Sequence, residues 1–228
     1  MNLAIIPARG GSKRIPRKNI KEFCGKPMIA WPIEMAIKSG CFDKVIVSTD
    51  DEEIKATAIK FGAEVPFIRP QELSDDFVGT RPVINHAINE ILKKHPELTN
   101  VCCIYATSPL IQAKDLIEAN KLLNTNNAEF VISVTKYEFP IQRSVRINPN
   151  GRLEALFPDS ISARSQDLIE AYHDAGQFYF GKKESFLSNR TVFGPDTLPL
   201  VLPSSRVQDI DTMEDWERAE QIFKMINR

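Results

Sequence analysis

Six bases fall between Arg9 and Lys21 (Arg9, Lys13, Arg14, Arg17, Lys18 and Lys21), and no acid follows them before Glu22. They come directly after a short apolar run and flank the pair Gly10-Gly11. A glycine pair lets the backbone turn sharply and bring its N–H groups close to an anion. Arginine and lysine can then neutralise several phosphate oxygens at once. The chemistry this suits is the binding of a nucleoside triphosphate. A merely solvated basic loop is the competing reading, and the coincidence of a glycine pair, a strand end and so many bases favours the anion site. The loop is neither G-x-x-x-x-G-K-S/T nor G-x-G-x-x-G, which disfavours a P-loop NTPase and a dinucleotide-dependent dehydrogenase.

A second constellation lies near the C-terminus, in Val207-Gln208-Asp209-Ile210-Asp211-Thr212. Carboxylates at i and i+2 of an extended segment point to one side. Two hard oxygen donors there suit Mg²⁺, which takes one or two carboxylates together with phosphates and water. The alternative is that Asp211 or Thr212 is only a helix N-cap and Asp209 is merely exposed. Thr107-Ser108-Pro109 reads as a strand-to-helix turn. His86, on a helical pattern, and His95, before Pro96, read as structural; His173 has an Asp and an Arg nearby and is a candidate for function.

These groups need a scaffold, and the hydrophobic pattern supplies one. Short β-branched runs at residues 3–7, 44–48, 64–68, 101–105, 130–135, 177–180 and 198–202 read as strands. Helical patterns span the segment from Ile29 to Gly40, the segment after Thr49-Asp50-Asp51 to Gly62, and residues 82–94, 113–123 and 212–226. This alternation predicts an α/β, Rossmann-like fold, with a mostly parallel sheet and helices on both faces. Ligands of such sheets sit at the carboxyl ends of the strands, where the basic loop lies. From Lys136 to about Ala171 the rhythm breaks, and Asn148-Pro149-Asn150-Gly151 suggests a hairpin turn. Residues 1–228 read as one domain with an inserted arm at about 136–161.

Composition narrows the class. The formal net charge is -1, and the basic loop has no interleaved aromatics, so a nucleic-acid-binding module is disfavoured. Cys24, Cys41, Cys102 and Cys103 lack C-x-x-C spacing, so buried free thiols in a reducing compartment are expected rather than disulfides or a zinc site. No segment has the form of a signal peptide or the length of a membrane span, so a cytoplasmic protein is expected.

Ile5-Ile6-Pro7-Ala8-Arg9-Gly10-Gly11-Ser12-Lys13, followed by Arg17-Lys18-Asn19, resembles the opening of the cytidylyltransferases that activate nine-carbon acidic sugars, the CMP–sialic acid synthetase family. Lys26-Pro27-Met28-Ile29-Ala30 resembles that family's next element, Thr107-Ser108-Pro109-Leu110 its turn at the sugar–nucleotide junction, and Asp209-Ile210-Asp211-Thr212 its metal-binding segment. The resemblance implies a loop wrapped around the triphosphate of CTP, with Ala8, Arg9, Gly10, Gly11, Ser12, Lys18 and Asn19 binding nucleotide and Arg69 and Thr80 on the base side. It implies sugar contacts at Tyr105, Thr107 and Ser108, and Mg²⁺ on Asp209 and Asp211.

Two departures from the family pattern bear on the sugar. Tyr105 stands where a glutamine is usual, and His173 and Ala175 stand where sialate enzymes tend to carry arginine and asparagine. Arg164-Ser165-Gln166-Asp167-Leu168 and the wording from Tyr172 to Tyr179 are most similar to the pseudaminic acid branch, which makes Gln166, His173, Gln177 and Tyr179 further sugar-binding candidates.

The expectation is therefore an enzyme in which the anomeric hydroxyl of a nine-carbon sugar acid attacks the α-phosphorus of CTP. Arg9 and Lys18 would hold the departing pyrophosphate, and Asp211 and Mg²⁺ would assist. Arg143 or Arg164 would meet the sugar carboxylate. The resemblance also implies a homodimer, with the arm reaching the neighbour's sugar site. Alternatives are the same reaction on N-acetylneuraminate or the eight-carbon acid Kdo, or a non-catalytic nucleotide-binding regulator.

Overall fold

A computed structural model describes residues 1–75, 77–188 and 190–227. Strand β1 (Asn2–Pro7) alternates its side chains between two apolar layers, which makes it the centre of the fold. Leu3 and Ile5 enter one buried cluster and Ala4 and Ile6 the other. Parallel partners flank it on both sides: β4 (Lys44–Ser48) and β5 (Asn100–Ile104). The remaining main-sheet strands are β6 (Phe130–Lys136), β9 (Tyr172–Lys182) and β10 (Thr197–Leu202), and the six-stranded order is β10-β6-β9-β5-β1-β4. All are parallel except β9, which runs antiparallel between β5 and β6.

Helices cover both faces, as the apolar strands require. Helices α1 (Ala30–Ser39), α2 (Glu52–Lys60) and α4 (Ala113–Thr125) bury residues in the Ala4/Ile6 layer. Helices α3 (Thr80–Leu92) and α5 (Lys183–Leu187) cover the Leu3/Ile5 layer. Helix α6 (Met213–Ile226) belongs to neither. Its Trp216, Ala219 and Phe223 pack with Ile15, Phe23, Met28, Leu110 and Ile210 in a third cluster. The Phe23 ring meets Trp216 edge-on at 5.3 Å and Phe223 at 5.6 Å. A two-residue ladder, β2 (Glu22–Phe23) with β3 (Lys26–Pro27), presents Phe23 to that cluster.

Two sequence expectations change. Residues 64–68 do not form a strand; only Glu64 bridges to Ile46 at the sheet edge, and Pro66, which has no N–H to give a ladder, follows two residues later. The strand expected at 177–180 instead begins at Tyr172 and runs for 11 residues. Its register against β6 shifts between Ile132 and Val134, where Gly176 takes φ 63°, a left-handed conformation suited to a bulge.

The arm is a hairpin of β7 (Val145–Ile147) and β8 (Leu153–Ala155). All four cysteines are free; Cys102 and Cys103 are buried in β5, whereas Cys24 and Cys41 are only half-buried. Among the described residues no helix is long and apolar enough to cross a membrane.

Candidate active site

The basic loop leaves β1 at its carboxyl end and is pinned by its own residues. The Ala8 N–H donates to the Ser48 carbonyl at 2.9 Å, and the Asn19 amide donates to the Arg9 carbonyl at 2.9 Å. Ile15 is fully buried in the third cluster, so an apolar anchor sits in the middle of the charged run. Gly10 is required by contact: a Cβ there would lie 2.7 Å from Asp51 Oδ2, while its N–H donates to Asp50 Oδ1 at 3.0 Å. Gly11 has open space around it and no positive φ, so the turn does not need its freedom.

The six bases divide. Arg17, at φ 55°, turns its guanidinium to Asp51 and Glu53 at the start of α2. Asp51 in turn caps α2 through the Ile54 N–H at 2.9 Å, and its bond to Arg17 holds its carboxyl below the usual range. Lys21 lies over the Trp216 ring, 5.8 Å from its centroid. Arg9, Lys13, Arg14 and Lys18 line a cleft of about 230 Å³ at the carboxyl ends of β1 and β5. Ser12 and Asn19 line it too, and Arg69, Asp75, Thr80, Tyr105 and Thr107 form the other side. The strand-end rule thus locates the cleft.

The acidic segment meets this loop. Lys18 Nζ donates to the Ile210 carbonyl at 2.6 Å and lies 3.5 Å from Asp211 Oδ1, and Arg14 donates to Asp211 Oδ2 at 2.8 Å. The N-cap of α6 is Thr212, in a capping box with Asp215, so Asp211 is left for other partners. Asp209 is partly desolvated; that raises its carboxyl pKa, and the charge of Asp211 raises it further.

Upstream, Arg206 anchors the segment. Its guanidinium donates to both Asp115 oxygens, at 2.7 and 3.2 Å, with side-chain exposures of only 10% and 9%. Its carbonyl accepts from Gln177 Nε2 at 2.9 Å. Sequence reasoning missed this pair, although a signal existed. Asp115, Ala119 and Leu123 share one stripe of α4, and a carboxylate on an apolar stripe demands a partner.

The sugar-side candidates separate into groups. Tyr105 Oη lies 3.4 Å from Thr80 Oγ1 and 3.4 Å from Tyr179 Oη, and Tyr179 donates to Asp174. Burial raises the pKa of both phenols. Thr107 lines the cleft, but the Ser108 hydroxyl is turned inward to the Tyr105 carbonyl at 2.6 Å, closing the turn rather than facing a ligand. Gln177 is likewise buried, on the Arg206 carbonyl, with its Oε1 unpartnered.

His173 lies against Tyr137, with ring centroids 4.7 Å apart and the planes tilted by 58°, and its Nδ1 bonds the Asp174 carbonyl at 2.8 Å. A carbonyl only accepts, so Nδ1 carries the proton there. Gln166 lines a separate hollow of about 960 Å³ beside the arm, with Tyr137, Phe139 and Ile169. Arg143 and Arg164 bond the Ala163 carbonyl and Asp167 and do not line the cleft. Arg69 lies at the cleft floor, 4% exposed, with Nε on Ser48 Oγ at 3.1 Å, and burial lowers its pKa to about 10.

A mostly parallel α/β sheet with a basic cleft at its carboxyl edge, two of whose bases meet the carboxylate of Asp211, has the architecture of a nucleotide-handling enzyme. The chain belongs to the cytidylyltransferase family, which it matches over residues 3–191. It is 45% identical to a pseudaminic acid cytidylyltransferase of Campylobacter jejuni over 98% of this chain and 97% of that protein. It is 33% identical to an N-acylneuraminate cytidylyltransferase of Escherichia coli, covering 99% of this chain and 53% of that protein. Among solved structures, a CMP:2-keto-3-deoxy-manno-octonic acid synthetase complexed with CTP shares the fold, with a TM-score of 0.73 at 15% identity over 99% of each chain.

Proposed function

We propose that this enzyme, acting over residues 1–228 as one unit, transfers CMP from CTP to the anomeric hydroxyl of a nine-carbon sugar acid, pseudaminic acid, and releases pyrophosphate. The observation that carries the proposal is the contact of Asp211 with Arg14 and Lys18, two of the bases that line a polar cleft. The near full-length likeness to pseudaminic acid cytidylyltransferases supports pseudaminic acid as the sugar.

In this reading Arg9, Lys13, Arg14 and Lys18 neutralise the triphosphate beside Gly11 and the Ser12 side chain, while the N–H groups of Ala8 and Gly10, given to Ser48 and Asp50, shape the loop; Arg9 and Lys18 hold the leaving pyrophosphate. Asn19 fixes the Arg9 carbonyl, and Arg69 and Thr80 bound the base side. The sugar's anomeric oxygen forms the new bond to the α-phosphorus as the bond to pyrophosphate breaks, with Tyr105 and Thr107 on the sugar side.

The carboxylates fit Mg²⁺. Partial burial and the charge of Asp211 both raise the cost of ionising Asp209, which a dication would relieve. Among the described residues no cluster of three or more His, Cys, Asp or Glu could hold a metal alone, which suits an ion shared with phosphates. When bound, the ion would neutralise phosphate charge and acidify the attacking hydroxyl.

The arm exposes Phe139, Ile147 and Leu153, and Ile169 lies exposed beyond it, at 72% or more each, an apolar surface that suits a second copy of the chain. In such a homodimer Gln166 and His173 would reach the sugar through the arm. A cytoplasmic location, beside the CTP pool, completes the proposal.

The test is pyrophosphate release with Mg²⁺ and CTP against pseudaminic acid, N-acetylneuraminate, legionaminic acid and Kdo. Turnover of pseudaminic acid alone is expected, and no turnover with any acid refutes the function. Asp211→Asn retaining near-normal turnover at saturating Mg²⁺ refutes the metal role. Sedimentation as a monomer refutes the dimer.

A further inference from the structure

Asp174 was not among the residues picked from the sequence, yet it ends a row of hydroxyls that reaches the cleft. The row runs Thr80 Oγ1, Tyr105 Oη, Tyr179 Oη and Asp174 Oδ2. Its direction follows from what each group can do. A carboxylate only accepts, so the Tyr179 proton points to Asp174. Tyr179 Oη is then the acceptor for the Tyr105 proton. With that proton directed inward, Tyr105 Oη can only accept from its remaining neighbours, Thr80 and whatever occupies the cleft it lines.

We infer that Asp174 is a positioning residue that turns this hydroxyl row inward, so that Tyr105 offers the sugar acid an acceptor, and that the sugar meets it with a donor, a hydroxyl or an N-acyl N–H. This rests on the proposed function. The two buried phenols, both shifted toward neutrality, stay protonated throughout the physiological range, so the row keeps one proton per oxygen. The Tyr105 and Tyr179 rings are edge-on at 5.6 Å, and β9 pairs with β5 at Cys103 and Tyr179, so strand register fixes the oxygens' separation.

Asp174→Asn tests the inference with almost no change of shape. Asp174 Oδ1 accepts from the Gly176 N–H at 2.8 Å. An asparagine keeps its oxygen there and turns its Nδ2, a donor only, to Tyr179. Tyr179 must then accept from it and donate to Tyr105, and Tyr105 turns its proton outward. The row reverses, and donor meets donor in the cleft. Steady-state kinetics with pseudaminic acid should show kcat/KM for the sugar falling about tenfold to a hundredfold, the scale of one unmatched buried polar group, with KM for CTP within about twofold.

Tyr105→Phe should lose sugar kcat/KM similarly, and Asp174→Asn added to Tyr105→Phe should cost nothing more, because the end of the row is gone. Tyr179→Phe cuts the row midway, and Asp174→Asn should be silent in that background as well. Losses that multiply in either double variant, or a sugar kcat/KM unchanged in Asp174→Asn, overturn the inference. So does an equal loss toward CTP with a lowered melting temperature, which would make Asp174 merely structural. Failure of the native enzyme with every acid overturns the proposed function, a result distinct from a native enzyme that works and an Asp174→Asn variant that matches it.

Discussion

Replacing Asp115 by alanine should be one of the most damaging single truncations away from the apolar core, and its size follows from the geometry. Arg206 and Asp115 join by two charge-assisted hydrogen bonds, and neither side chain has more than 10% of its surface in water. Asp115→Ala leaves a buried guanidinium with neither carboxylate nor solvent, a situation that costs about 3–5 kcal/mol. Asp115 also lies in the first turn of α4, where loss of a negative charge costs a further ~0.3–1 kcal/mol.

For a chain of this length, that larger cost corresponds to a melting temperature lower by about 6–20 °C. Urea unfolding measures the energy directly, through the midpoint at constant slope. The apolar pair Asp115→Leu with Arg206→Met should recover most of the loss, since buried ion pairs and well-packed hydrophobes are close in stability. CTP binding in the presence of Mg²⁺ should weaken in Asp115→Ala more than binding without it, because Arg206 is three residues from Asp209 and ties its segment to α4 and to Gln177. A cost below about 1 kcal/mol with unchanged slope would refute the argument, because it would mean that the guanidinium finds water or another acceptor.

Two further outcomes follow from the loop. Gly10→Ala should destabilise by about 1–2 kcal/mol, since its Cβ would press on an Asp51 carboxylate already fixed by Arg17 and Ile54, whereas Gly11→Ala should stay within about 0.5 kcal/mol; urea unfolding of both variants decides it. Arg17→Met should lower stability at neutral pH. Because Arg17 depresses the folded-state pKa of Asp51, the stability it contributes is fully present above the ordinary carboxylate value near ~4 and is lost as pH falls through the depressed value. The gap between native protein and variant should therefore be constant at neutral pH and close in acid, as urea midpoints measured from about pH 7 to about pH 2.5 will show.

What could be read from the sequence was what neighbours along the chain determine. The apolar runs of β1, β4, β5 and β6, the Asp51 cap and the Thr212 cap all depend on residues within a few positions of one another, and the structure has each of them. The strand-end rule then located the cleft, because Arg9–Lys18 follow β1 directly and Tyr105–Thr107 follow β5. The sequence did not reveal which of several suitable partners a polar side chain takes across the fold. Arg17 and Lys18 are adjacent and both basic, yet Arg17 bonds Asp51 and Glu53 while Lys18 reaches Ile210 and Asp211.

That split is set by the left-handed turn at Arg17 and by Ile15 entering the α6 cluster, and both depend on elements far along the chain. Ser108 and Gln177 show the same limit. Each is of a type and at a place suited to a sugar contact, and each is drawn inward by a backbone carbonyl, that of Tyr105 for one, which also accepts the Ser108 N–H, and that of Arg206 for the other. Where a strand ends beside a polar turn, satisfying buried backbone groups takes precedence over displaying side chains to a ligand. The hydroxyls and amides left over for chemistry are those, such as Tyr105 and Thr107, that line the cleft from the strand's carboxyl end.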